Sequence, residues 1–151
     1  MAKSNLRIAI VVSKFNDFVT DRLLEGATAA LHEAGVDGTA LEILHVPGAF
    51  ELPMAAQRIA ETGRVSAVIC LGCLIRGATP HFEYIASACA TGITVAATTT
   101  GVPMSFGVLT TNSAEEALER AAPGPSNKGR EAAQAAVAMA QLFEQIGDGR
   151  R

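Results

Sequence analysis

The chain has 151 residues, 49% of them hydrophobic and 18% charged, with a formal net charge of -3. That length defines one domain, 1–151, able to close a core without disulfides or a structural metal, and its apolar content excludes a disordered chain. The acidic balance argues against a nucleic-acid binder, which carries a basic stripe.

The apolar pattern alternates between strand and helix from the start. LRIAIVV, Leu6–Val12, is a continuous apolar run, the pattern of a strand covered on both faces. Asp17 to Ala34 reads as a helix with Val19, Leu23, Ala27, Leu31 and Ala34 on one face and Gly35 as its stop. Thr39 to Val46 is a second strand. Glu51 to Thr62 is a second helix, with Pro53 tolerated in its first turn. Ser66 to Leu74 is the third strand, and Pro80 after Thr79 opens a third helix. The β-branched stretch ITVAATTT suits a strand, yet Phe82, Ile85, Cys89, Ile93 and Ala96 continue a helical stripe, so one long helix through Gly92 is expected. Val102 to Thr110 is the fourth strand. Ser113 with Glu116 forms a capping box for a fourth helix ending near Ala121, and a last helix starts at about Lys128.

Cys70 and Cys73 form a C-x-x-C, but they lie on a strand. Residues three apart there face opposite sides and cannot easily share a metal or pair, so core packing is the favoured reading and no metal site is expected. The apolar run in MAKSNLRIAIVV is too short for a signal peptide and ends at Lys14, and nothing approaches a membrane span. A cytoplasmic, membrane-free protein is therefore expected.

Strands alternating with helices imply an α/β fold, a three-layer αβα sandwich around a four-stranded parallel sheet of flavodoxin-like character. Ligands bind such sheets at the carboxyl ends of the strands, which singles out the loops SKFND, PGAFE, IRGATPH and TTNS. Phe15, Phe50, Glu51, Arg76 and His81 are residues that a turn does not require. Together, aromatics beside a carboxylate and an imidazole suit a flat polar heterocycle. Gly77, Ala78 and Thr79 lead into a helix whose free amides can hold a phosphate. His81 follows in the first helical turn, placed to accept and return protons, while His32 and His45 read as structural or surface residues. Arg120 and Lys128 flank the link between the last two helices. The fourth helix runs back along the sheet by roughly 12 Å over eight residues, so Arg120 should lie far from its own chain's site and complete a neighbour's.

KFND, VPGAFELP, GCLIRGATPHFEY, FGVLTT and EEALERA…NKGREAA occur in an order and spacing that resembles the 6,7-dimethyl-8-ribityllumazine synthase family across about Leu6 to Phe143. That resemblance implies condensation of 5-amino-6-ribitylaminouracil with 3,4-dihydroxy-2-butanone 4-phosphate, without a metal or organic cofactor, with riboflavin synthase as pathway neighbour. Under it, Phe15 stacks on the pyrimidine with Asn16 nearby. Ala49, Phe50 and Glu51 bind the ribityl chain, and backbone groups of Leu74 and Ile75 read the pyrimidinedione edge. Ala78 and Thr79 hold the phosphate with Arg120, whose bidentate fork suits it; His81 shuttles protons, and Phe106 and Lys128 line the pocket. The resemblance also implies a homopentamer in which a neighbour supplies Phe106, Arg120 and Lys128, and it leaves an icosahedral assembly of pentamers open. Three departures bear on this: Lys14 where Arg is usual, Pro-Gly-Pro in the loop APGPSN, and a short arm before Leu6. A non-catalytic flavin- or lumazine-binding shell on the same scaffold is the alternative, disfavoured by intact His81, Arg120 and Glu51. The sequence carries no G-x-G-x-x-G and no Walker loop.

Overall fold

The computed structural model describes residues 4–149; the first part of the short arm lies outside them. Four strands, β1 (Ile8–Ser13), β2 (Leu41–Val46), β3 (Ala67–Ile75) and β4 (Met104–Thr111), alternate with α1 (Asp17–Glu33), α2 (Leu52–Glu61), α3 (His81–Thr100), α4 (Ala114–Arg120) and α5 (Lys128–Gly149). The sheet is parallel throughout, in the order β2-β1-β3-β4. This is the flavodoxin-like three-layer arrangement that the alternating pattern implies.

Burial follows strand position. Every side chain of β1 is buried, and all of β3 is buried up to Leu74, because helices cover both faces of this central pair. The edge strands β2 and β4 are only partly covered. One core joins Ile8, Ile10, Val12, Ile69 and Leu71 to α1, α4 and α5. The other joins Ala9, Val11, Val68 and Cys70 to α2 and α3. Cys73 belongs to the first core and Cys70 to the second, as the two-residue period of a strand requires. Burial pushes the Cys70 thiol up to about 12, reinforced by nearby Cys89, and those of Cys73 and Cys89 to about 11. These thiols are inert packing groups.

The ambiguous ITVAATTT is helical, and α3 runs unbroken through Gly92. Cys89, Ile93 and Ala96 bury one face, and the Thr94, Thr98 and Thr100 hydroxyls donate to carbonyls four residues back, at 2.8, 3.0 and 2.7 Å. These bonds satisfy the threonines without breaking the helix. Gly92 is the point where α2 crosses closely: a Cβ there would stand 2.8 Å from Pro53. Gly101, at φ 73°, ends the helix.

Three boundaries differ from the sequence reading. A single 3-10 turn, Ala49–Glu51, precedes α2, and another, Gly38–Ala40, precedes β2. β4 starts at Met104 because Pro103 has no N–H for the ladder and contributes only its carbonyl, which accepts from Val68 N at 2.9 Å. At α4, Ser113 Oγ accepts from Glu116 N at 3.1 Å, and the Glu116 carboxylate accepts from Asn112 N at 3.0 Å. The Ser113–Glu116 cap is thus present, shifted by one residue on its return bond.

Candidate active site

β1 sends its helix to one face of the sheet and β3 sends its helix to the other, so a crevice opens where their carboxyl ends lie side by side. A cavity of about 780 Å³ occupies that crevice. The β1 turn contributes Phe15 and Asn16, the β2 turn Ala49, Phe50 and Glu51, the end of β3 Leu74 and Ile75, and α3 His81. Eight of the thirteen residues expected from sequence therefore meet at one wall-to-wall site.

Local structure explains each position. Lys14 N and Phe15 N donate to the carbonyls of Val46 and Pro47, at 2.8 and 3.1 Å, which hold the first two turns together. Asn16 adopts φ 63° and ψ 44°, a left-handed conformation that asparagine tolerates well. Its Nδ2 donates to the Cys73 carbonyl at 2.9 Å, tying the β1 turn to β3. One of the two Asn16 amide N–H donors is thus used inside the fold. Phe15 is left 67% exposed and Phe50 60% exposed, two free aromatic faces at one edge. Glu51 is exposed, its carboxylate folded back towards Gly48. His81 is the first residue of α3, exposed and without a side-chain hydrogen bond among the described residues.

The remaining five expected residues stand apart from this cavity. Ala78 and Thr79 lie on the exposed link between β3 and α3 and are not among the residues that line the cavity. Phe106, Arg120 and Lys128 line a different cavity of about 420 Å³, formed by the edge strand β4 with α4 and α5. There Lys128 Nζ pairs with Glu131 at 3.1 Å, Arg120 is unpaired among the described residues, and Phe106 is 47% exposed. No residue lines both cavities.

Sequence reasoning missed Tyr84 and Ala88, which line the larger cavity, and treated Phe82 and Ile85 as core alone. The signal was present: positions 84, 85 and 88 share one helical face with His81. Phe82 and Ile85 serve both roles, half-buried against the α2–α3 core while facing the cavity.

Fold and site define an α/β protein with an aromatic, carboxylate- and imidazole-bearing crevice at the carboxyl edge of a parallel sheet. The family's sequence model for 6,7-dimethyl-8-ribityllumazine synthase matches residues 5–144, and the chain belongs to that family. A 6,7-dimethyl-8-ribityllumazine synthase of Syntrophus aciditrophicus (strain SB) is 50% identical over 141 residues, 93% of this chain and 92% of the relative. Among solved structures, a de novo designed Rossmann fold protein overlaps 76% of this chain and 92% of its own, at 26% identity and a TM-score of 0.40.

Proposed function

We propose that this chain performs its family's reaction in a site that a second copy completes. The chain is a transferase of riboflavin biosynthesis. It condenses 5-amino-6-ribitylaminouracil with 3,4-dihydroxy-2-butanone 4-phosphate to form 6,7-dimethyl-8-ribityllumazine, releasing phosphate and water.

The observation that carries the split site is the distribution of charge. The larger cavity offers two aromatic faces, a carboxylate and an imidazole, but no lysine or arginine lines it. The smaller cavity holds Arg120 and Lys128 beside exposed Phe106. A substrate carrying phosphate needs both sets, and one chain holds them on separate surfaces. Docking the β4 face of one copy against the crevice of the next supplies the missing cations and covers exposed Phe15, Phe50 and Phe106. A ring of five copies repeats this head-to-tail contact and closes it. The buried, unoxidised cysteines fit a reducing compartment such as the cytosol.

In this arrangement Phe15 stacks on the pyrimidine ring with Asn16 fixing its turn, and the backbone of Leu74 and Ile75 meets the pyrimidinedione edge. Ala49, Phe50 and Glu51 hold the ribityl chain, the carboxylate accepting from its hydroxyls. The amides of Ala78 and Thr79 take the phosphate together with the neighbour's guanidinium, Arg120. The amine of the pyrimidine attacks the butanone carbonyl, and loss of water gives an imine. Phosphate then leaves by elimination, the resulting enol tautomerises to a carbonyl, and attack of the ribityl-bearing nitrogen on that carbonyl with loss of a second water closes the ring. His81 accepts and returns the protons of these steps.

The test is a complementation assay that follows lumazine absorbance. His81→Ala and Arg120→Ala proteins, dissociated together and reassembled, should exceed the activity of either variant alone, because mixed rings contain sites with both residues intact. Activity of the mixture equal to the average of the two would overturn the split site.

A further inference from the structure

Arg76 is the residue of the IRGATPH turn to which the proposed reaction gives no task, yet it is the most connected side chain there. Its Nε donates to Asn112 Oδ1 at 3.0 Å, its Nη1 stands 3.6 Å from Glu83 Oε2, and its guanidinium lies 4.7 Å from the centroid of the Phe82 ring. Its backbone N donates to the Thr111 carbonyl at 2.8 Å. One side chain therefore joins the end of β3, the β4–α4 turn and the first turn of α3.

The segment it spans has little else to hold it. Residues 76–81 are all exposed, and a Cβ added at Gly77 would meet nothing within 4 Å. No side chain caps the N-terminus of α3. Phe82 and Glu83, the two residues that Arg76 grips, directly follow His81. Holding them fixes the rotation of the first turn of α3, and with it the direction of the imidazole and of the Ala78–Thr79 amides. A guanidinium can do this because it is planar and forked: one edge bonds the Asn112 amide while its face lies on an aromatic ring.

We propose that Arg76 is a positioning residue, a strut that sets the phosphate-binding turn and His81 for catalysis without itself binding the phosphate. The proposal rests on the reading that Ala78, Thr79 and His81 belong to the active site. The competing role for a cation here is direct phosphate binding, and the two make opposite predictions at Glu83. If Glu83 anchors the strut, Glu83→Gln loosens the turn and lowers kcat. If Arg76 were a phosphate ligand, Glu83→Gln would free its charge and lower KM for the phosphate substrate.

Steady-state kinetics on the assembled protein, with the phosphate substrate varied, separates them. Arg76→Gln should lower kcat by about tenfold, since small displacements of reacting groups are costly. Arg76→Lys should fail to restore it, having the charge but neither fork nor planar face. Glu83→Gln should lower kcat in the same direction, and the double variant should be no worse than Arg76→Gln alone, the non-additivity of a single unit. A rise in KM alone for Arg76→Gln, restored by lysine, together with a lower KM for Glu83→Gln, would make Arg76 a phosphate ligand and overturn the strut. Wild-type kinetics in the Arg76 and Glu83 variants would overturn it as well. His81→Ala is the control for the underlying reading: if that variant is impaired and the Arg76 variants are not, the strut alone fails, whereas an unimpaired His81→Ala removes the site reading with it.

Discussion

At the scale of the residue, the balance between proximity and proton transfer decides how much each side chain matters. Holding two reactants in a reactive geometry can supply about 7–11 kcal/mol of the barrier, while a positioned general acid–base contributes about 10²–10⁴-fold. His81 is exposed and unpaired among the described residues, so its removal disturbs no packing. His81→Ala should therefore slow turnover by about a hundredfold yet stay above the uncatalysed condensation, with KM for both substrates little changed. Single-turnover absorbance measurements check this, and a fully dead variant would mean that the imidazole also builds the site. The cysteines sit at the other extreme. Burial holds all three thiols far above neutral pH, so they take no part in the chemistry.

At the scale of the element, the close contact of α1 with α5 is the feature most sensitive to change. Gly129 in α5 lies directly against the backbone of Leu23 in α1, where a Cβ would overlap the Leu23 carbonyl. Backbone cannot yield as a flexible side chain can. Asn127 seals the same contact: it is buried, its amide nitrogen donates to the Ala121 carbonyl at 2.8 Å, and its oxygen accepts from Arg130 N at 3.0 Å. Arg130 in turn makes a two-pronged ion pair with Glu33 at the end of α1. Gly129→Ala should destabilise the fold by about 3 kcal/mol or more through overpacking, read as a lower denaturation midpoint with an unchanged slope. Because α5 also carries Lys128 and α4 ends in Arg120, the damage should extend to KM for the phosphate substrate, although the mutated position touches no ligand. Gly92 against Pro53 is the corresponding contact of α2 with α3, where a Cβ would stand 2.8 Å from the rigid proline ring, a smaller overlap than at Gly129, so alanine should cost less there than at Gly129.

At the scale of the whole molecule, the chain leaves much apolar surface uncovered. Phe15, Phe50, Tyr84, Met54, Phe106 and Ile146 are all large and exposed, more than isolated surface residues account for. Diluting the protein should therefore abolish activity in step with dissociation, followed by light scattering and absorbance together; a monomer with full activity would refute the shared site. The sequence by itself determined the order of strands and helices, the parallel sheet, the burial of Cys70 and Cys73 on opposite faces, and three of the four strand-end loops that border the crevice, TTNS lying outside its lining. It did so because periodicity, caps and strand-end rules are local properties of the chain. It also located Arg120 away from its own crevice, since helix length is fixed by a rise per residue. Only the tertiary structure decided the rest. Asn16 bonds to Cys73 across 57 residues, Arg76 links three elements that are distant in sequence, and Tyr84 and Ala88 turn towards the crevice. Such contacts depend on how strands β1, β3 and β4 are set side by side, and no local pattern encodes that distance.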